Sequence, residues 1–220
     1  MPDRLKPDIA PEVHRREITL PPEGQLLDWD ALFGRPAPRA IEIGTGNGFF
    51  LAREAARLPD WTFIGVEREP LYYYKMARRI ARAKLDNVRT WRGEALDLLR
   101  RVPPGSLDRF YCYFSDPWPK RRHRRRRVYN QDFPPLIEQL LAPTGEVWFK
   151  TDADFYFNLT VTLFRRRGGW DLLDVGRLPL PDPARGEVIS NFERKAREAG
   201  REVWGFRARR GEGRLLPRTG

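Results

Sequence analysis

Along most of the chain, short apolar runs alternate with stretches in which apolar residues return every three or four positions. Those two periods separate buried strands from amphipathic helices. Residues 40–43 and 62–66 are apolar runs and predict the first two strands, the second rich in β-branched and aromatic side chains, with a helix over 47–57 between them. Tyr72, Met76 and Ile80 recur at helical spacing, followed by a strand at 88–91 and a short helix at 95–101. Residues 107–114 predict the fourth strand, 133–141 a helix and 146–150 the fifth strand, after which Phe155, Leu159 and Leu163 stripe a further helix. Beyond Gly168-Gly169, a strand at 170–175 leads into a proline-rich crossing at 179–183, a helix at 192–199 and a last strand at 203–207.

Strands that alternate with helices predict an α/β fold with an open, mostly parallel sheet, because parallel neighbours need a long return path that a helix fills. Ligands of such sheets bind beyond the carboxyl ends of the strands. That rule sets Gly44, Gly46, Gly48, Glu67, Glu94, Asp116 and Asp152 along one rim. The first 38 residues are proline-rich and charged, with a short helix around 26–32, and read as a partly flexible arm. One domain is expected over 39–210, with a frayed tail over 211–220.

Charge narrows the partner. Forty-one lysines and arginines against 30 acids give a formal charge of +11, which favours nucleic acid over an acidic small substrate. A hydrophobic fraction of 40% with seven tryptophans argues for a folded core. No apolar stretch approaches the roughly 20 residues that cross a bilayer, and the N-terminus has no apolar signal core, so a cytoplasmic protein is expected. A single cysteine, Cys112, excludes an intramolecular disulfide, and with only His14 and His123 no metal site is expected. Cys112 lies in an apolar run and reads as a small core residue.

The stretch Glu42-Ile43-Gly44-Thr45-Gly46-Asn47-Gly48 is a strand that runs into a glycine turn and opens a helix. Glycines let the backbone bend sharply and approach a ligand, while the helix start presents free amides. The spacing G-x-G-x-G departs from the dinucleotide fingerprint G-x-G-x-x-G. Glu67, at the end of the second strand, can accept both hydroxyls of a ribose lying across the turn, and Glu42 can accept from an ammonium group. Each acid alone also reads as a surface or capping carboxylate, and Glu94 as the cap of the helix after it. Their recurrence at strand ends repels a pyrophosphate and attracts a cationic sulfonium nucleoside, which favours S-adenosyl-L-methionine.

The fourth strand runs into S-D-P-W-P and then a run of cations from Lys120 to Arg127 that includes Arg122, His123, Arg124, Arg125 and Arg126. Two prolines withhold amide donors and stop the strand, which holds Asp116 and Trp118 on a stiff loop. Asp116 is either a turn residue or the carboxylate that complements positive charge developing on a methylated purine ring; Trp118 either stacks on a base or covers the loop. The basic run abuts this pocket and reads as an RNA contact, although a solvated loop is the ordinary reading of such a run. Ser190-Asn191-Phe192-Glu193 has the look of a capping box that opens the late helix.

Taken together, these motifs resemble the bacterial tRNA (guanine-N7-)-methyltransferase family, the TrmB type. The resemblance rests on E-I-G-x-G-x-G at 42–48, G-V-E at 65–67, D-P-W-P-K-x-R-H-x-x-R-R at 116–127, K-T-D at 150–152 and S-N-F-E at 190–193. It implies a seven-stranded, Rossmann-like methyltransferase sheet whose last strand is antiparallel. It further implies transfer of a methyl group from S-adenosyl-L-methionine to guanine 46 of the tRNA variable loop. Carried over, the cofactor contacts are Glu42, Glu67, Glu94 and Asp116, and the substrate contacts are Lys120, Asp152, Ser190, Asn191, Phe192 and Glu193. Glu94 and Ser190 depart from the family's usual Asp and Thr, and each keeps the functional group.

Overall fold

Why the chain alternates becomes plain in the computed structural model, which describes residues 10–117, 128–182, 184 and 187–211. Seven strands share one sheet: β1 (Arg39–Ile43), β2 (Thr62–Val66), β3 (Val88–Trp91), β4 (Leu107–Tyr113), β5 (Leu141–Thr151), β6 (Trp170–Arg177) and β7 (Trp204–Arg210). Their order is β3-β2-β1-β4-β5-β7-β6. The first five are parallel, and β7 runs antiparallel to both β5 and β6. Helices α3 (Phe49–Arg57), α4 (Pro70–Arg82) and α5 (Ala95–Leu99) return the chain between the first four strands. Helices α6 (Phe133–Leu140), α7 (Asp154–Arg167) and α8 (Asn191–Glu198) do so in the second half, after α1 (Ala10–Arg16) and α2 (Trp29–Phe33). Chain order reverses between β1 and β4, the switch point at which sheets of this kind hold their ligands.

Apolar layers cover both faces, which is why the central strands read as continuous apolar runs. Ile41, Ile43, Phe110, Cys112 and Phe149 pack in the layer that includes α6 and α7. Ala40, Phe63, Tyr111 and Tyr113 pack with α3 and α4 on the other side. Burial pushes the Cys112 thiol up to about 12, which suits an inert core residue.

The predicted elements are all present, with shifted phases and ends. On α4 the buried stripe is Tyr73, Met76, Ala77 and Ile80, while Tyr72 faces out. On α7 it is Tyr156, Phe157, Thr160, Val161 and Phe164, and Phe155 is exposed. Apolar residues lie nearly all round α7, so spacing alone does not select a face. Strand β5 starts five residues earlier than predicted, since a register irregularity opposite Leu107 and Arg109 accommodates Pro143 and Gly145. Asp28 accepts from the Ala31 amide at 2.9 Å and so starts α2 later than predicted.

From Ala10 onward the arm is packed against the domain. Val13, Ile18, Leu27 and Trp29 are buried. Arg16, within the stretch expected to be a partly flexible arm, is also buried and pairs with Asp86 at 2.8 Å and with Glu12. The Ile18 amide donates to the Thr90 carbonyl at 2.9 Å, and Glu17 forms a parallel bridge with Thr90 on edge strand β3.

Candidate cofactor and base-binding site

Strand register builds the site. Ile43 lies opposite Val66 and Cys112, Val66 opposite Trp91, and Tyr113 opposite Lys150. The parallel strands therefore end at one level, and Gly44, Glu67, Phe114 and Asp152 leave them along a common rim.

At the centre of the rim, Gly44, Gly46 and Gly48 have φ of 67°, 55° and 69°. This left-handed run delays α3 to Phe49, two residues later than predicted. At two positions glycine is required by space as well as by φ. A Cβ on Gly46 would lie 2.7 Å from the Phe192 ring, and one on Gly48 would lie 2.8 Å from Met76. The turn is thus packed from outside by α8 and from inside by α4.

Glu42 is 3% exposed, and its Oε2 has no hydrogen-bond partner among the described residues. Burial, with the Glu67 and Glu54 carboxylates adding repulsion, pushes its carboxyl up to about 8. Such an acid is poised to accept a cationic donor that would let it ionise. Glu67 accepts from the Gly46 amide at 2.8 Å and the Glu69 amide at 3.0 Å. Burial raises its carboxyl, against those hydrogen bonds. A carboxylate has about four lone-pair sites, so capacity remains for two hydroxyls.

The outer acids differ. Glu94 sits at the N-cap of α5 without using its side chain as a cap, and pairs with Arg68 at 3.2 Å, exposed on the rim. Asp116 is exposed, three residues past β4. Asp152 is ion-paired with Arg201. Among the basic-loop residues, Trp118, Lys120, Arg122, His123, Arg124, Arg125, Arg126 and Arg127 lie outside the described residues.

The late motif is half a capping box. Ser190 accepts from the Glu193 amide at 3.0 Å, as predicted, but the Glu193 carboxylate turns to Lys150 and Arg197, each at 2.9 Å. Glu193 is fully buried, so it is an anchor that ties α8 to the end of β5 and exposes no surface to a substrate here. The next residue back, Phe192, is 38% exposed and lies against Gly46. A crevice between the turn and Phe192, lined also by Glu42, Phe50 and Tyr113, holds about 10 Å³, room for no more than one water. Any ligand reaching the turn meets that ring.

Sequence reasoning missed two residues. Lys150 ends the predicted fifth strand, but its pairing with Glu193 needs contact across 43 positions. Phe114 looked like the end of a strand, yet its φ is 54°, unusual for a residue with a side chain and costing about 1–2 kcal/mol. Its amide still donates to the Lys150 carbonyl at 2.8 Å, so the chain turns abruptly just beyond the ladder. The two prolines downstream were the available signal for such a turn.

A family model described as "Putative methyltransferase" matches residues 36–206. A tRNA (guanine-N(7)-)-methyltransferase of Zymomonas mobilis is 38% identical over 188 residues, covering 84% of this chain and 80% of that protein. One from Geobacillus thermodenitrificans is 33% identical over 186 residues, covering 83% and 84%. The chain belongs to the tRNA (guanine-N7-)-methyltransferase family. Its fold is also that of the 16S rRNA (adenine(1408)-N(1))-methyltransferase of Catenulisporales acidiphilia, solved with cosubstrate SAM, at a TM-score of 0.59 and 16% identity, covering 86% of this chain and 92% of that one. Membership of the methyltransferase family fits the departure from the dinucleotide glycine spacing and the acid-lined rim. It also fits the seven-stranded sheet, whose last strand β7 is antiparallel as the resemblance implied and lies between β5 and β6.

Proposed function

We propose that this protein is a cytoplasmic enzyme, monomeric or homodimeric, that transfers the methyl group of S-adenosyl-L-methionine to N7 of guanine 46 in the tRNA variable loop. The observation that carries the cofactor assignment is the Glu42 carboxyl beside the glycine turn, buried and with one oxygen unpartnered among the described residues. An ammonium group there supplies the missing donor and lets the acid ionise. Glu67 keeps lone pairs for ribose hydroxyls, and Glu94, which makes no side-chain cap, is available to the adenine amine. When bound, S-adenosyl-L-methionine supplies an electrophilic methyl group carried on a sulfonium.

Guanine N7 carries a lone pair and no proton, so the chain needs to supply alignment and charge balance, with no base to deprotonate the nucleophile. Asp116 suits both needs, since its carboxylate can accept from guanine N1 and N2 and offset positive charge as the ring is alkylated. Asp152, Ser190, Asn191 and Phe192 contact the substrate, with Lys120 from the basic loop, and Glu193 holds Phe192 in place. Arg122, His123 and Arg124 to Arg127 contact tRNA phosphates. A formal charge of +11 supports a polyanionic partner, and the activity for which the relatives are named supplies the base and atom.

The test is incubation of an unmodified tRNA transcript with labelled S-adenosyl-L-methionine, followed by mass-spectrometric mapping. The expected product is one 7-methylguanine at position 46, absent from a transcript with another base there. A methyl group on an exocyclic amine, or tRNA binding without transfer, would overturn the assignment.

A further inference from the structure

Phe114 is a core-sized ring held in a backbone conformation that L side chains rarely adopt, and such residues persist where the surroundings fix them for a purpose. Its neighbours suggest that purpose. The Phe114 and Phe192 rings are nearly parallel, 22° between planes, with centroids 6.5 Å apart. That is the far end of the range over which two rings attract each other directly. Bases in a duplex stack about 3.4 Å apart, so a purine between two rings needs about 6.8 Å. The centroid separation is within a few tenths of an ångström of that spacing.

Both rings are anchored from behind. Phe114 is tied through its amide to the Lys150 carbonyl, while the Lys150 ammonium holds Glu193, next to Phe192. One residue thus fixes both rings. Lys150 also lies over the Tyr113 ring at 5.1 Å, which limits its own freedom. Phe192 touches the glycine turn, and Phe114 is two residues from Asp116 in the chain, so the pair adjoins the proposed cofactor site and the stretch that carries the proposed base-contacting carboxylate.

We propose that Phe114 and Phe192 are aromatic jaws that grip the target purine by stacking on its two faces, which makes Phe114 a substrate-binding residue. The inference rests on the methyltransferase reading above. Stacking is indifferent to which base is held, so the jaws set the plane of the ring and leave its identity to edge contacts such as Asp116. A base held in that plane presents its N7 lone pair edge-on, as in-line attack requires.

The experiment compares wild type, Phe114→Leu, Phe114→Tyr, Phe192→Leu and the double leucine variant on an unmodified tRNA transcript. It reads kcat and KM separately, cofactor affinity by calorimetry and the melting temperature. Losing the Phe114 ring is expected to lower kcat/KM for tRNA by about five- to one-hundred-fold while cofactor affinity stays within about twofold. Phe114→Tyr, which keeps the ring, should restore nearly all activity. The double variant should lose less than the product of the two single losses, because one jaw alone grips poorly.

A Phe114→Leu enzyme with wild-type kcat/KM would overturn the proposal. So would equal losses in the leucine and tyrosine variants accompanied by falling melting temperatures, which mark a folding role. If Phe114→Leu fails to fold, the half-exposed Phe192→Leu decides by its kcat/KM for tRNA at saturating cofactor, a wild-type value again overturning the proposal. An inactive wild type refutes the function itself; an active wild type with unaffected leucine variants refutes only the jaws.

Discussion

Replacing Glu42 with glutamine separates what this acid does for the fold from what it does for the ligand. In the free protein its carboxyl is pushed from 4.5 to about 8, so between those values the folded chain keeps a proton that the unfolded chain gives up. Stability is therefore full below about pH 4.5, falls as pH rises and is flat above about pH 8. At about 1.4 kcal/mol per unit, the loss has a ceiling of about 5 kcal/mol, and relaxation around the site will reduce it. Glutamine does not titrate. Melting curves of Glu42→Gln and wild type should nearly coincide near pH 5, with the variant ahead by several degrees at pH 8, since 1 kcal/mol moves a chain of this size by about 2–4 °C. Titrating groups that do not interact with Glu42 cancel in the difference.

Cofactor binding should respond in the opposite sense. Loss of a charged partner for the ammonium should weaken S-adenosyl-L-methionine affinity by about ten- to one-hundredfold, the worth of a hydrogen bond to a charged group. Wild type at pH 7 should release a proton on binding, seen as a buffer-dependent calorimetric heat, and the variant should not. A stability gap that stays constant from pH 5 to pH 8 would refute the burial argument. Unchanged affinity would refute the ammonium contact.

Four other outcomes follow from the same geometry. Asp116→Ala, at an exposed loop position, should keep its melting temperature, with stability within about 0.5 kcal/mol, and lose methyl transfer in the tRNA assay. Glu193→Ala should cost about 3–5 kcal/mol in urea unfolding, because two cations lose a buried partner. Gly48→Ala meets both a left-handed φ and Met76 and should lower the melting temperature, whereas Gly24→Ala, with the same φ problem and open space, should cost less. Reversing charge at Arg124 to Arg127 should weaken tRNA binding and flatten its salt dependence, by about 0.7 in log–log slope per lost phosphate contact in single-stranded regions, with cofactor affinity unchanged.

Much of the fold was legible because the central strands are covered on both faces and so are written as unbroken apolar runs. Residues 62–66 match the bounds of β2, and 88–91 those of β3, although that edge strand alternates in burial. Legibility failed where two signals compete. On α7 the apolar residues surround the helix, and on β5 Pro143 and Gly145 mimic a turn while an irregular ladder takes them in. The rim acids Glu42 and Glu67 could be placed from strand ends alone, since their position follows from topology. The Glu193 anchor and the left-handed conformation of Phe114 could not, because a capping pattern does not say which way the acid turns, and two downstream prolines announce a turn without saying which residue takes the positive φ.

One consequence concerns the outer margin of β3. Its amides and carbonyls would otherwise present a free row to any passing extended peptide, the usual seed of strand-to-strand aggregation. The chain around Glu17 and Ile18 occupies part of that row, with Arg16 locked down beside it. A protein shortened to begin at Arg39 would keep the rim and its acids, and would be expected to clump.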